Sequence, residues 1–121
     1  MKKLILLLLL VSLSCKEQGN QANAQSEVLT ATEYKEVISN KQVQLVDVRT
    51  PEEFEAGHIE NAVNIDFFRD DFKTAFTTMD KDQPIYIYCK SGNRSGKAAK
   101  ILSELGFEEI YDLEGGFSNY N

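Results

Sequence analysis

Short β-rich runs alternate with helical patterns along most of this 121-residue chain, and that alternation limits its fold more than any other feature. Val43-Gln44-Leu45-Val46-Asp47-Val48 and Ile85-Tyr86-Ile87-Tyr88 are apolar on nearly consecutive residues, as in strands covered on both faces. Ala62 to Ile65 and Glu109-Ile110-Tyr111 read as two further strands. Between the runs lie helix signals. Thr30-Ala31-Thr32-Glu33 has capping-box spacing, with Tyr34, Val37 and Ile38 following on one face to about Ser39. Thr50-Pro51-Glu52-Glu53 repeats the signal with Pro at the first helical position, and Gly57 supplies the stop. Asp70 to Met79 predicts a helix with Phe72, Ala75, Phe76 and Met79 inward, and Ser95 to Leu105 another with Ala98, Ile101, Leu102 and Leu105 inward. The expected architecture is α/β: one domain, residues 28–121, with a mostly parallel central sheet and helices on both faces.

The amino terminus is different in kind. Lys2 and Lys3 precede an unbroken apolar run from Leu4 to Val11, then Ser12-Leu13-Ser14-Cys15. A positive start, a short apolar stretch and small residues before a cleavage point read as a secretory signal, 1–14, too short to span a bilayer as a helix. Cys15 after Leu13-Ser14 resembles the lipobox of bacterial lipoproteins, with Ser12 where that pattern usually has Leu. That resemblance implies a diacylated Cys15 and durable membrane attachment through the lipid alone, on the periplasmic side of a bacterial envelope. Residues 15–27 then form a lipidated Cys and tether: KEQGNQANAQS has no apolar periodicity and, as a flexible coil, holds the domain roughly 20 Å from its anchor. Losing Lys2 and Lys3 makes a formal charge of −6 more negative still, which disfavours nucleic acid and anionic headgroups as partners.

Only Cys15 and Cys89 are present, so a lipidated Cys15 leaves Cys89 a lone thiol in an oxidising compartment. With one His and one available Cys, the expected ligands for a zinc site and a CxxC redox pair are lacking, and no metal or cofactor is expected.

Cys89-Lys90-Ser91-Gly92-Asn93-Arg94-Ser95 begins where an apolar strand ends and stops where a helical pattern begins. In parallel sheets ligands bind at strand carboxyl ends, which is where this thiol lies. A helix amino terminus offers unpaired N–H donors and a positive dipole end, and Lys90 and Arg94 add charge, so the segment favours an anionic sulfur. Gly92 allows close backbone approach, and Arg94 can clamp an oxyanion with two parallel hydrogen bonds. The bland alternative is a polar strand-to-helix turn that happens to contain a Cys. The coincidence of Gly, two cations and a helix start with the thiol favours a nucleophile.

CKSGNRS resembles the CxxGxRS active loop of rhodanese-like sulfurtransferases, and the resemblance runs from Val28 to Asn121. Leu45-Val46-Asp47-Val48-Arg49 is similar to the family's LxDVR segment. Gly57-His58-Ile59-Glu60-Asn61-Ala62-Val63-Asn64-Ile65 is similar to GHIxGAxNI, and Leu113-Glu114-Gly115-Gly116-Phe117 to the closing LxGG. Asn61 stands for the usual Gly, and Tyr120 for the Trp of GGxxxW members. The resemblance implies that Cys89 attacks a sulfane sulfur donor such as thiosulfate and holds the sulfur as a persulfide. Lys90, Ser91, Gly92, Asn93, Arg94 and Ser95 cradle the outer atom until a thiol or cyanide acceptor removes it. Partners are therefore small molecules.

Asp47 and Arg49 either orient the active loop or form a structural ion pair. His58, the only His, follows a helix-stopping Gly and is expected to make structural hydrogen bonds. Phe67, Phe68, Phe72 and Phe76 are expected to pack, the alternative being that a few of them wall the pocket. A phosphatase or arsenate reductase also places Cys and Arg around an anion-binding loop, but the related phosphatases need one residue more than Lys90 to Asn93 between them. A non-catalytic module for partner binding or sulfur sensing is the other alternative.

Overall fold

The computed structural model describes residues 25–121. Five strands, β1 (Gln25–Leu29), β2 (Gln44–Asp47), β3 (Val63–Asn64), β4 (Ile85–Tyr88) and β5 (Glu109–Leu113), form one sheet in the order β1-β5-β4-β2-β3, every pairing parallel. The helices are α1 (Ala31–Asn40), α2 (Pro51–Glu55) and α3 (Asn93–Glu104). The signal, the Cys15 lipid site and most of the tether lie outside the described residues.

The two apolar runs take the central places. β4 is buried along its whole length between β5 and β2, so its consecutive apolar residues serve two cores. Ile85, Ile87 and Cys89 face α3 with Val46, Ala98, Ala99, Leu102, Phe107 and Ile110. Tyr86 and Tyr88 face the opposite way, towards Tyr34 of α1, Leu45, Ile59 and Leu113. Helices thus cover both faces, as β-alternation in a doubly covered sheet requires.

Both capping boxes form. Thr30 Oγ1 accepts from Glu33 N–H while the Glu33 carboxylate accepts from Thr30 N–H, and Thr50 and Glu53 do the same at α2. Each ties two orphan donors of a helix start.

Three expectations need correction. The first element among the described residues is β1, starting at Gln25 rather than at the expected Val28. β1 is an edge strand whose Ser26, Glu27 and Val28 are exposed, so backbone pairing to β5 rather than an apolar pattern holds it. The 70–79 segment is a chain of turns with one 3₁₀ turn, Thr74–Phe76, bonded mostly three residues back, as in Phe76 N–H to Lys73 C=O and Met79 N–H to Phe76 C=O. Its Phe72 and Phe76 are nevertheless buried, as the pattern demanded, because a tight turn every three residues also returns side chains to one side. Phe68 departs from the packing expected of it: it is 65% exposed.

Candidate active site

β4 ends at Tyr88 and α3 starts at Asn93, so Cys89–Gly92 is the connection between a buried strand and a helix amino terminus. Gly92 is the N-cap, with φ 106° and ψ −10°, a left-handed conformation that a side chain would disfavour. That turn brings the Gly92 N–H to 3.0 Å from Cys89 Sγ, to which it donates. The N-cap provides no side-chain hydrogen bond, and the first N–H groups of α3 have no acceptor within the helix. The Cys89 thiol also meets Ser95 Oγ, one turn into α3, at 3.3 Å. Cys89 is 1% exposed and Ser95 fully buried, whereas Lys90, Ser91 and Asn93 are exposed.

A second wall fixes the loop from behind. Phe117 N–H donates to Cys89 C=O at 2.8 Å and Ser118 N–H to Lys90 C=O at 3.0 Å. Such proximity is possible only because position 116 has no side chain. A Cβ on Gly116 would lie 2.4 Å from the Lys90 carbonyl carbon and oxygen.

Asp47 and Arg49 form a buried ion pair. Arg49 Nη2 donates to Asp47 Oδ2 at 2.7 Å and to Gly57 C=O at 2.7 Å, and Nε to Asp47 Oδ1 at 3.0 Å. The guanidinium lies 4.4 Å from the centre of the Phe117 ring, and Asp47 pairs in register with Tyr88. The pair therefore sits at the carboxyl ends of β2 and β4, one contact removed from the loop, through the residue whose N–H holds the Cys89 carbonyl. It touches the thiol nowhere.

Arg94 is already engaged. Its Nη1 and Nη2 donate to Glu53 Oε1 and Oε2 at 2.7 and 3.0 Å, a bidentate pair. Arg94 lowers the Glu53 carboxyl to about 2, and Glu53 in turn raises the Arg94 guanidinium. The clamp expected for a substrate oxyanion thus holds α2 to the start of α3. His58 bonds Phe54 C=O through Nδ1 at 2.8 Å and stacks on the Phe54 ring at 3.7 Å, the structural role expected of it.

Sequence reasoning missed four members of this site: Glu53, Asp112, Gly116 and Phe117. Glu53 was visible as the third residue of a capping box, but its partner lies 41 residues away. Asp112 carried a signal that went unread, a charged residue within the otherwise apolar end of β5. It is 5% exposed, and burial pushes its carboxyl up to about 6. Among the described residues no three His, Cys, Asp or Glu side chains gather closely enough to hold a metal ion.

Residues 30–121 match the family model described as "Rhodanese-like domain". The chain belongs to the rhodanese-like family. It is 35% identical to YqhL of Bacillus subtilis (strain 168), over 99% of this chain and 94% of that protein. It is 33% identical to the thiosulfate sulfurtransferase GlpE of Shewanella oneidensis, over 77% of this chain and 90% of that one. A tRNA uridine(34) hydroxylase of Onion yellows phytoplasma is 34% identical over 92% of this chain, which spans only 37% of the hydroxylase. The crystal structure of a rhodanese-like domain protein from Staphylococcus aureus, 33% identical, superposes with a TM-score of 0.70 over 78% of this chain and 91% of that one.

The two departures from the rhodanese-like pattern are tolerated locally. Asn61 has φ 75°, the left-handed region where Gly is easiest and Asn the next best substitute. Tyr120 stacks on Phe117 with ring centres 6.4 Å apart and planes 14° apart, so an aromatic ring still backs the segment that holds the loop.

Proposed function

We propose that this rhodanese-like protein is a sulfurtransferase that carries sulfur on Cys89 from a sulfane donor such as thiosulfate to a thiol or cyanide acceptor. The observation that carries the reading is the Gly92 N–H aimed at Cys89 Sγ, at 3.0 Å, at the head of α3. Negative charge on that sulfur meets a fixed donor and the positive end of a helix.

In the first half-reaction the Cys89 thiolate attacks the outer sulfur of thiosulfate. A new S–S bond forms at Cys89, the donor's S–S bond breaks, and sulfite leaves with the electron pair. In the second, an acceptor thiolate or cyanide attacks the outer sulfur, and Cys89 departs as thiolate. Electrons balance without a further oxidant, and the kinetics are double-displacement. Lys90, exposed beside the thiol, meets the sulfonate end, with Ser91, Gly92 and Asn93 offering backbone donors. Arg94 adds positive charge from its place on Glu53, and touches the donor only by exchanging that carboxylate for the sulfonate. Parallel double-reciprocal lines for thiosulfate and cyanide, lost in Cys89→Ser, are the expected result. Intersecting lines, or transfer surviving in Cys89→Ser, contradict the reading.

One observation favours a second reading. Cys89 is 1% exposed, which suits a domain that binds a partner or senses sulfur without turnover. The readings part on whether small donors react at all. The exposed, Gly92-containing turn is what must give for Sγ to be reached.

We also place the domain on the periplasmic side of a bacterial envelope, held by lipid on Cys15 after removal of 1–14. The support is the sequence: Lys2-Lys3, the Leu4 to Val11 run and Leu13-Ser14-Cys15. Loss of acyl labelling and of membrane sedimentation in Cys15→Ala is expected. Retention of both would refute the anchor.

A further inference from the structure

Phe68 is the member of the phenylalanine cluster that the core does not take up. It is 65% exposed, more than any other large apolar side chain among the described residues. The other exposed ones, Val28 and Val63, lie on the edge strands β1 and β3, where a pleated surface turns alternate residues outward. Phe68 belongs to no strand, and backbone bonds carry its segment to the carboxyl end of the sheet, the end that holds Cys89. Phe67 N–H donates to Val48 C=O at 3.0 Å, and Val48 N–H donates to Tyr88 C=O at 2.9 Å, next to Cys89. Phe67 packs against the same apolar cluster as Cys89 and meets the Phe68 ring edge-on at 5.6 Å, while Phe68 N–H donates to Asp66 Oδ1 at 3.0 Å. The ring is fixed at its base and open on its face.

Beside it stands Arg94. The guanidinium lies 5.9 Å from the centre of the Phe68 ring. Arg94 sits in the first turn of α3 between Gly92, whose N–H is 3.0 Å from Cys89 Sγ, and Ser95, whose Oγ is 3.3 Å from it. Its Nη1 and Nη2 are engaged by Glu53 at 2.7 and 3.0 Å, so the donor edge is occupied and the flat face is what the guanidinium offers. Charges around the ring do not invite a further anion. Asp66 and Asp70 flank Phe68 in sequence, and Arg69 is paired with Asp71 at 2.7 Å. An uncharged planar group suits both surfaces, since an aromatic ring packs on another ring and lies flat on a guanidinium.

We propose that Phe68 is a specificity-determining residue of sulfur transfer and that, with the face of Arg94, it receives the aromatic body of an uncharged thiol acceptor. The inference rests on Cys89 carrying the sulfur. The substrate concerned is the acceptor, because thiosulfate is a compact dianion with no apolar surface to bury. The acceptor attacks the outer sulfur of the persulfide, which projects one S–S bond, about 2 Å, beyond Sγ. A body joined to the thiol by a short arm therefore stays at the rim while its sulfur enters. The acceptor thiolate's electron pair forms the new S–S bond, the persulfide S–S bond breaks, and Cys89 leaves as thiolate while the acceptor departs as its own persulfide.

The test is kcat/KM for a set of acceptors with thiosulfate as donor, a quantity that in double displacement reports the acceptor's half-reaction. Phenethyl mercaptan, its cyclohexyl counterpart and mercaptoethanol present a planar ring, a puckered ring and no ring on similar alkyl thiols. Wild type is expected to prefer phenethyl mercaptan over both by roughly three- to tenfold, the size of one aromatic contact. Phe68→Ala and Phe68→Leu bring that preference to within about twofold, and Phe68→Tyr, which retains a ring, keeps it. Phe68 is exposed, so these variants leave the core intact, and circular dichroism checks that they fold. A wild type that treats the phenyl and cyclohexyl thiols alike, or a preference that survives Phe68→Ala, overturns the inference while leaving Cys89 as the sulfur carrier. A wild type that transfers sulfur neither to cyanide nor to any of the thiols overturns the sulfurtransferase reading, and this inference with it.

Discussion

Two glycines of similar appearance in the sequence are predicted to respond oppositely to the same methyl group. Gly116 has φ 66° and ψ −164°, a backbone region essentially restricted to glycine. A Cβ there lies 2.4 Å from the Lys90 carbonyl and 2.6 Å from the Ser91 nitrogen, where ordinary contact begins at 3.4 Å. Either Gly116 or the Cys89 loop must retreat by about 1 Å, and neither obstructing atom belongs to a flexible side chain. Backbone strain of about 1–3 kcal/mol adds to overpacking of similar size, giving a loss of about 2–6 kcal/mol for Gly116→Ala. That is a large share of the roughly 5–15 kcal/mol expected for a domain of this size. The retreat also disturbs the Phe117 N–H to Cys89 C=O and Ser118 N–H to Lys90 C=O bonds, so sulfur transfer should fall even where the variant is folded. Gly96, by contrast, is an exposed helical position in α3 with nothing within 4 Å of its Cβ site. Gly96→Ala should stabilise by about 0.5–1 kcal/mol. Chemical denaturation of both variants, with thiosulfate:cyanide transfer measured alongside, checks the pair. A Gly116→Ala protein within about 0.5 kcal/mol of wild type and equally active would refute the reasoning.

Glu53→Gln is expected to lose about 1 kcal/mol at neutral pH, discounted because the Arg94 pair is partly exposed. The Glu53 carboxyl is depressed from 4.5 to about 2, so its contribution is complete above 4.5 and disappears as pH falls through 2. Stability curves of wild type and variant that fail to converge over that window would contradict the pairing. Arg49→Ala strands the buried Asp47 charge and should cost about 3–5 kcal/mol by denaturant unfolding, and a loss under about 1 kcal/mol would contradict the burial argument. Asp112→Asn should run the other way. The carboxyl is raised from 3.8 to about 6, so its protonated form stabilises the fold below 3.8 and that benefit is lost as pH rises through 6. Replacing it should therefore stabilise the protein by on the order of 2 kcal/mol at neutral pH, and a thermal scan showing destabilisation would contradict the burial argument.

What was legible in the sequence was what is written locally. Thr30 to Glu33 and Thr50 to Glu53 carry their helix starts within four residues, and Ile85 to Tyr88 declares a central strand by being apolar on both sides. The position of Cys89 at the end of that strand followed at once. Pairings between distant segments were not legible. Nothing near Arg94 announces that Glu53 will occupy its guanidinium, so a residue assigned to substrate is found holding two helices together. β1 went unread because an exposed edge strand needs no apolar pattern. The 70–79 turns went unread because Phe72, Phe76 and Met79 satisfy helical periodicity, while the backbone closes its bonds one residue earlier. Asp112 shows the opposite failure, a carboxylate plain in the sequence whose burial only the fold reveals.

The most direct measurement is the intact mass of the purified protein after incubation with thiosulfate, followed by peptide mapping. The account predicts a single added sulfur atom on the peptide containing Cys89, removed again by cyanide. A protein whose mass is unchanged, or whose added sulfur maps elsewhere, would contradict it.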